Sequence, residues 1–170
     1  MNDVTLRDYF AMDSSMDMYK DYAESAAFLW YLRSVAVTEP NYTTSDLGEL
    51  EYRIEAQLDG LLTSIDTAWS ICEQALEMPG QAGEVFTATV VAFRSRDMEK
   101  IKTAITAGLS NDATFEGVVS ALGWLSSNLA DSWIIKFLNS KDLDHKYLAK
   151  LDDCGQCLHR RQSESGHRTQ

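Results

Sequence analysis

Only two prolines, Pro40 and Pro79, occur in the 170 residues. Proline disfavours helix in the residue before it and breaks a helix interior, so the rest of the chain is open to long helices. Three cysteines are an odd number, which suits a reducing compartment better than a secreted disulfide framework. The three histidines, His145, His159 and His167, form no His-Glu-x-x-His pair. No Ser/His/Asp or Cys/His set emerges from the spacing either. There is no glycine-rich phosphate loop; Gly80 and Gly83 follow Pro79 as a helix connection. The longest unbroken apolar run, Ala26–Leu32, is seven residues, against about 20 for a membrane-spanning helix. The first residues lack a basic segment followed by an apolar one, so no signal peptide is expected. These absences predict a cytoplasmic protein, most simply bacterial or cytosolic, that is no enzyme, holds no cofactor and does not enter a membrane.

Basic residues are also scarce, 15 Lys+Arg against 26 Asp+Glu, for a formal charge of −11. Phosphate binding wants clustered cations, so nucleic acid is not an expected partner. The deficit is uneven. Residues 1–79 hold 15 acids and four bases (Arg7, Lys20, Arg33 and Arg53), whereas residues 80–170 hold 11 of each.

What the chain does have is apolar content, 45 % of residues, enough for one domain with a core that needs no staples. Its apolar positions recur every three or four residues, which predicts an all-α fold. Residues 1–19 read as a loose acidic arm or short helix, 20–159 as a single helical domain, and 160–170 as a disordered tail. Within the domain, 20–79 is the acidic half. Asp21–Val37 is apolar nearly all round and predicts a helix buried on several sides. After the Pro40 loop, Thr44, Ser45 or Asp46 could cap a helix. Its stripe runs Leu47, Leu50, Ile54, Leu58, Leu61, Ile65, Ala68, Cys72, with a bend or break expected near Gly60.

Residues 80–159 carry a faint repeat at an offset of 29, with Phe86, Val90, Ala92, Phe93, Ile105 and Leu109 mapping onto Phe115, Val119, Ala121, Leu122, Ile134 and Leu138. Each unit reads as two short helices: Gly83–Ser95 with Met98–Leu109, then Thr114–Leu125 with Leu129–Asn139. A partial third unit would run from Leu143 to His159. Helical hairpins at this period predict a short HEAT-like α-solenoid or an irregular helical bundle. A short solenoid without a polar cap has an open apolar end, so a homo-oligomer is a further expectation.

Cys154, Cys157 and His159 form the one metal-like constellation. Their spacing is wrong for a zinc finger, position 158 is Leu where a haem motif needs His, and no βαβ context supports a redox pair. Core packing is the preferred reading. Asp142-Leu-Asp144 and Asp152-Asp153 lack the ordered ligand series of a calcium loop.

The acids of the second helix are more telling. Glu51, Glu55 and Asp59 follow one another at i, i+4, with Asp46 and Glu49 just before and Asp66 beyond. Like charges at this spacing repel. Arg53 can pair with Glu49, but nothing is expected to relieve the other three along the row. A solvated face is the bland reading; a surface complementary to a basic protein is the functional one. Tyr42, in the Pro40 loop, is the candidate exposed aromatic contact, while Trp30, Trp69, Trp124 and Trp133 sit on apolar faces and read as core.

Several segments carry a resemblance. Ala26-Ala27-Phe28-Leu29-Trp30 with Leu32-Arg33, Tyr42, Asp46-Leu47, Glu55-Ala56 and Leu58-Asp59-Gly60-Leu61 resemble the N-terminal signature of a proteobacterial protein family. Gly83-Glu84-Val85-Phe86, Val119–Leu125 and Cys157-Leu158-His159-Arg160 resemble its further segments. Members are similar to HEAT-repeat proteins, typically continue through more helical repeats, and are often encoded near type VI secretion genes. The resemblance implies no reaction and no catalytic residues. It implies a helical-repeat fold in a bacterial cytoplasmic setting. The like-charge row and the lack of a catalytic set then predict a non-catalytic protein-binding module, foremost, in a secretion setting, an immunity protein masking a toxin through Asp46, Glu49, Glu51, Glu55, Asp59, Asp66 and Tyr42. The alternatives are an adaptor or chaperone for a secreted effector, which would use exposed apolar surface, and a Cys/His metal protein.

Overall fold

A computed structural model of the chain describes residues 6–78 and 81–139, together with Lys141 and Lys146. Among the described residues every regular element is an α-helix, as the apolar spacing predicts. They are α1 (Leu6–Ala36), α2 (Thr44–Leu62), α3 (Ile65–Leu76), α4 (Ala82–Ser95), α5 (Met98–Gly108), α6 (Asp112–Trp124) and α7 (Ser127–Leu138).

Side-chain chemistry sets several of the boundaries. Thr43, not one of the three residues after it, is the N-cap of α2. Its hydroxyl accepts from the Asp46 N–H at 3.2 Å, and the Asp46 carboxylate accepts from the Thr43 N–H at 2.8 Å. The cap falls one residue early because Asp46 serves as the reciprocal arm of a capping box. The long stripe from Leu47 breaks at Thr63–Ser64 rather than at Gly60. Gly60 answers a packing demand instead: a Cβ there would lie 2.9 Å from the Tyr22 ring. Asp97 caps α5, accepting from the N–H groups of Glu99 and Lys100, and Asn111 with Thr114 forms a capping box for α6.

The hairpins α4–α5 and α6–α7 fall where the 29-residue repeat places them. The expected third unit from Leu143 to His159 and the tail 160–170 lie outside the described residues. From Leu6 onward, the expected arm over 1–19 is the first part of α1, continuous with the apolar stretch that follows.

Helix α4 sits at the centre. Gly83 and every residue from Val85 to Phe93 are buried, and α1, α2, α3, α5 and α6 all touch it. Trp133 and Phe137 of α7 meet its Phe93 edge-on, with ring centroids 5.3 and 6.3 Å away. A helix enclosed on all sides gives the molecule the character of an irregular bundle, with the two hairpins inside it. Close approach to α1 and α6 depends on glycine. A Cβ on Gly83 would stand 2.6 Å from the Ala27 carbonyl oxygen, and one on Gly117 would collide with the Ala82 carbonyl. Phe86 stacks on Trp30 and meets Trp124 edge-on, joining α1, α4 and α6.

The role expected for the 21–37 stretch therefore belongs to α4. On α1, Ala23, Ala26, Ala27, Leu29, Trp30 and Ala36 are buried, but Phe28, Tyr31 and Val35 are exposed. A peripheral helix can bury only one stripe, so an apolar-all-round sequence there leaves apolar surface in water.

Two predictions follow from these contacts. Gly117→Ala forces two backbones apart and should destabilise by about 1–3 kcal/mol. Gly48→Ala in α2, where a Cβ meets nothing within 4 Å, should stabilise by about 0.5–1 kcal/mol. Urea midpoints test both, and equal stability of Gly117→Ala and wild type would refute the close-packing account. Separately, hydrogen bonds from the Lys100 and Glu99 N–H groups hold the Asp97 carboxyl below its usual 3.8. The unfolded chain thus binds a proton that the folded cap refuses, and this stabilisation, present above the usual value, is lost as pH falls through the acid range. Asp97→Asn keeps a capping residue and should give a shallower fall in Tm between about pH 5 and 2.

Candidate functional site

The acidic row of α2 is not unrelieved. Arg33 of α1 donates through Nε to Glu51 at 2.8 Å and approaches the same oxygen through Nη2 at 2.6 Å. Arg94, at the end of α4, places Nη1 and Nη2 at 2.9 and 2.8 Å from the two Glu55 oxygens, a bidentate pair. The Trp124 indole N–H of α6 donates to Glu55 as well, at 2.6 Å. Asp59 stands 3.8 Å from Arg94, its side chain 75 % exposed, and Asp66 stands 3.2 Å from Lys100 of α5, its side chain 97 % exposed. Arg33 also lies over the Trp124 ring, 5.6 Å from its centroid. The inner half of the row thus braces α2 against α1, α4 and α6.

This corrects the expectation that nothing relieves these carboxylates. The relieving bases come from 18 residues before Glu51 and 39 residues after Glu55, beyond the reach of i, i+4 reasoning. Among the described residues Arg53 forms no ion pair with Glu49. Asp46 is occupied in the cap, and its carboxyl is held below the usual range, first by the Thr43 hydroxyl and then by the Thr43 N–H. Glu49 is exposed, as is Tyr42 in its loop. The structure therefore gathers Glu51 and Glu55 into the brace, leaves Asp59 exposed at its edge, and leaves Tyr42, Glu49 and Asp66 apart from it.

The surface that sequence reasoning missed is on α1. Phe28 is 64 % exposed and Tyr31 61 %, while their neighbours Leu29 and Trp30 are buried. Val35 continues the line one turn on. The i, i+3, i+7 spacing of 28, 31 and 35 was visible in the sequence, but the same residues also suit a core face. Beside them lies a groove of about 520 Å³, bordered by Phe28 and Tyr31 of α1, by the first turn of α4 and by Ala113 and Glu116 of α6.

A second cleft, of about 410 Å³, lies between α1, α3 and α4 with Cys72 among its lining residues. Burial pushes the Cys72 thiol up to about 12, so it stays protonated and is poorly suited to act as a nucleophile or metal ligand. Among the described residues no three His, Cys, Asp or Glu side chains are placed to hold a metal. The candidates Cys154, Cys157 and His159 lie outside the described residues, as do Asp142, Asp144, Asp152 and Asp153. No described helix is long and apolar enough to cross a membrane. In comparisons with known proteins, no family model matches the chain, and no curated protein or solved structure matches it.

The brace and the outer acids separate in a stability measurement. Glu55→Ala leaves Arg94 and the Trp124 N–H without their acceptor and should cost about 1–3 kcal/mol. Asp59→Asn should change stability by less than about 0.5 kcal/mol. Urea denaturation of the two variants checks this; similar losses from both would mean that the row acts as a diffuse charge rather than a brace.

Proposed function

We propose that this chain is a non-catalytic protein-binding module whose partner meets the outer face of α1. The observation that carries the reading is the exposure of Phe28 and Tyr31 in the middle of a strongly apolar stretch. Burying such a side chain is worth about 1.5–3 kcal/mol. Isolated exposed apolar residues are ordinary, but neighbouring ones on one helix face, beside a groove, suit an interaction site.

Two forms of this reading were expected. Toxin immunity through α2 needs carboxylates free to meet a basic surface, and Glu51 and Glu55 are already committed to Arg33, Arg94 and Trp124. The adaptor or chaperone form uses exposed aromatic and apolar surface, which α1 supplies, and it is the better supported. With the resemblance to HEAT-like proteins encoded near secretion genes, the proposed partner is a bacterial secretion effector. Immunity is the second reading, favoured only by the exposed side chains of Asp59 and Asp66.

A photo-crosslinking amino acid placed at position 28, 31, 52 or 70 in the native host tests the choice. Positions 28 and 31 should yield one discrete adduct of the same partner, and Ser70, exposed on α3, should yield none. An adduct at Tyr52 of α2 without one at 28 or 31 would move the site to the acidic helix and overturn the α1 reading.

A further inference from the structure

The groove beside α1 has a charge pattern as well as an apolar wall. Glu24 of α1, Glu84 of α4 and Glu116 of α6 all line it, and no lysine or arginine does. Lys20 reaches Glu24 only at 3.8 Å, with both side chains about two-thirds exposed. Among the described residues Glu84 and Glu116 form no ion pair. The dipole of α4 favours Glu84, which lies in its first turn. Glu24 is deep within α1, and Glu116 lies beyond the first turn of α6, so neither has that local reason.

The shape follows from packing already described. Gly83 lies against the Ala27 carbonyl and Gly117 against that of Ala82, so the start of α4 sits low between α1 and α6. The Trp30 indole N–H donates to the Ser120 hydroxyl at 2.9 Å, tying α1 to α6 and fixing the spacing of the two sides.

The geometry points to a docking groove for a basic amphipathic helix of a partner protein, its apolar side on Phe28 and Tyr31 and its lysines or arginines against Glu24, Glu84 and Glu116. This rests on the protein-binding reading above and specifies the chemistry of the partner. Helix-in-groove recognition uses apolar anchors at i, i+3, i+4 and i+7 with polar flanks, and carboxylates bordering an apolar groove complement basic flanks. A second copy of this chain is the wrong occupant on charge: it carries −11, and like potentials oppose its approach. An uncharged apolar ligand would leave Glu84 and Glu116 without a counterpart and Glu24 with only its 3.8 Å contact to Lys20.

The test uses the full chain and a fluorescein-labelled amphipathic Leu/Lys peptide of roughly 14 residues. A Leu→Ser peptide of the same charge and a Lys→Glu peptide of the same apolarity serve as controls. Fluorescence anisotropy should show binding of the Leu/Lys peptide alone, weakening with salt. Phe28→Ser with Tyr31→Ser, and separately Glu24→Gln with Glu84→Gln and Glu116→Gln, should each weaken it by about tenfold or more. The remote triple Glu73→Gln, Glu77→Gln, Glu99→Gln removes the same charge elsewhere and should change it less than about twofold. All substituted side chains are solvent-accessible, and circular dichroism confirms that the variants fold.

Equal losses from the two triples would reduce the effect to diffuse electrostatics and overturn the proposal, as would tight binding of either control peptide. A dimer in sedimentation that Phe28→Ser with Tyr31→Ser dissolves would assign the groove to a second copy instead. If crosslinks at 28 and 31 capture a partner and the groove triple leaves that capture unchanged, the protein-binding reading stands and the basic-helix assignment falls. If neither crosslinks nor peptide binding appear, both fall.

Discussion

The enclosure of α4 is the constraint on which the other helices depend. A helix touched on every side can carry no charge along its buried length, and between Glu84 and Arg94 it carries none. It must also let its neighbours come close, which is why Gly83 and Gly117 stand at the crossings and Ala88 and Ala92 are fully buried. Its two buried threonines show the expense of polarity there. Thr87 returns its hydroxyl to the Gly83 carbonyl at 3.0 Å, whereas the Thr89 hydroxyl has no partner among the described residues. An orphan of that kind costs about 1–3 kcal/mol. Arg94 is the first charge beyond the buried length, and it leaves the core directly onto Glu55.

Much of this architecture was legible because it is local. Spacing of three and four gave the helices, the 29-residue offset gave the two hairpins, and the apolar setting of Trp30, Trp69 and Trp133 gave core positions. The cap of α2 was misplaced by one residue because Thr43, Thr44, Ser45 and Asp46 are all competent caps and only geometry chooses among them. Two larger features were illegible for one shared reason: they depend on contacts between distant segments. An apolar-all-round stretch reads alike whether it is the central helix or a peripheral one with a bare side, and only the position of α4 decides that α1 is peripheral. Likewise the row Glu51, Glu55, Asp59 looks repulsive until Arg33 and Arg94 arrive from other helices.

The acidic excess of the first half thus divides into two populations. The inner carboxylates of α2 are part of what holds the bundle, and bidentate pairing to Arg94 makes Glu55 the better anchored of them. The outer ones stay in water and set the long-range potential that an approaching partner meets. Beside α1 that potential coincides with exposed aromatic rings, so attraction at a distance and contact at short range are combined on one surface. The separation also has a practical side: carboxylates of the groove can be neutralised without touching the brace, because Glu24, Glu84 and Glu116 share no ion pair with Arg33 or Arg94.

The contact between Trp124 and Glu55 gives the molecule an optical property. Trp30, Trp69 and Trp133 are buried, so their emission reports on the core as a whole. Trp124 differs: it is half-buried, its N–H is held by a carboxylate of α2, and a guanidinium from α1 lies over its ring. Any movement of α2 away from the bundle hands that indole to water before the other three are disturbed. Trp124 is in effect a native fluorophore stationed at the junction of α1, α2 and α6, and its spectrum tracks the seating of the acidic helix without a label.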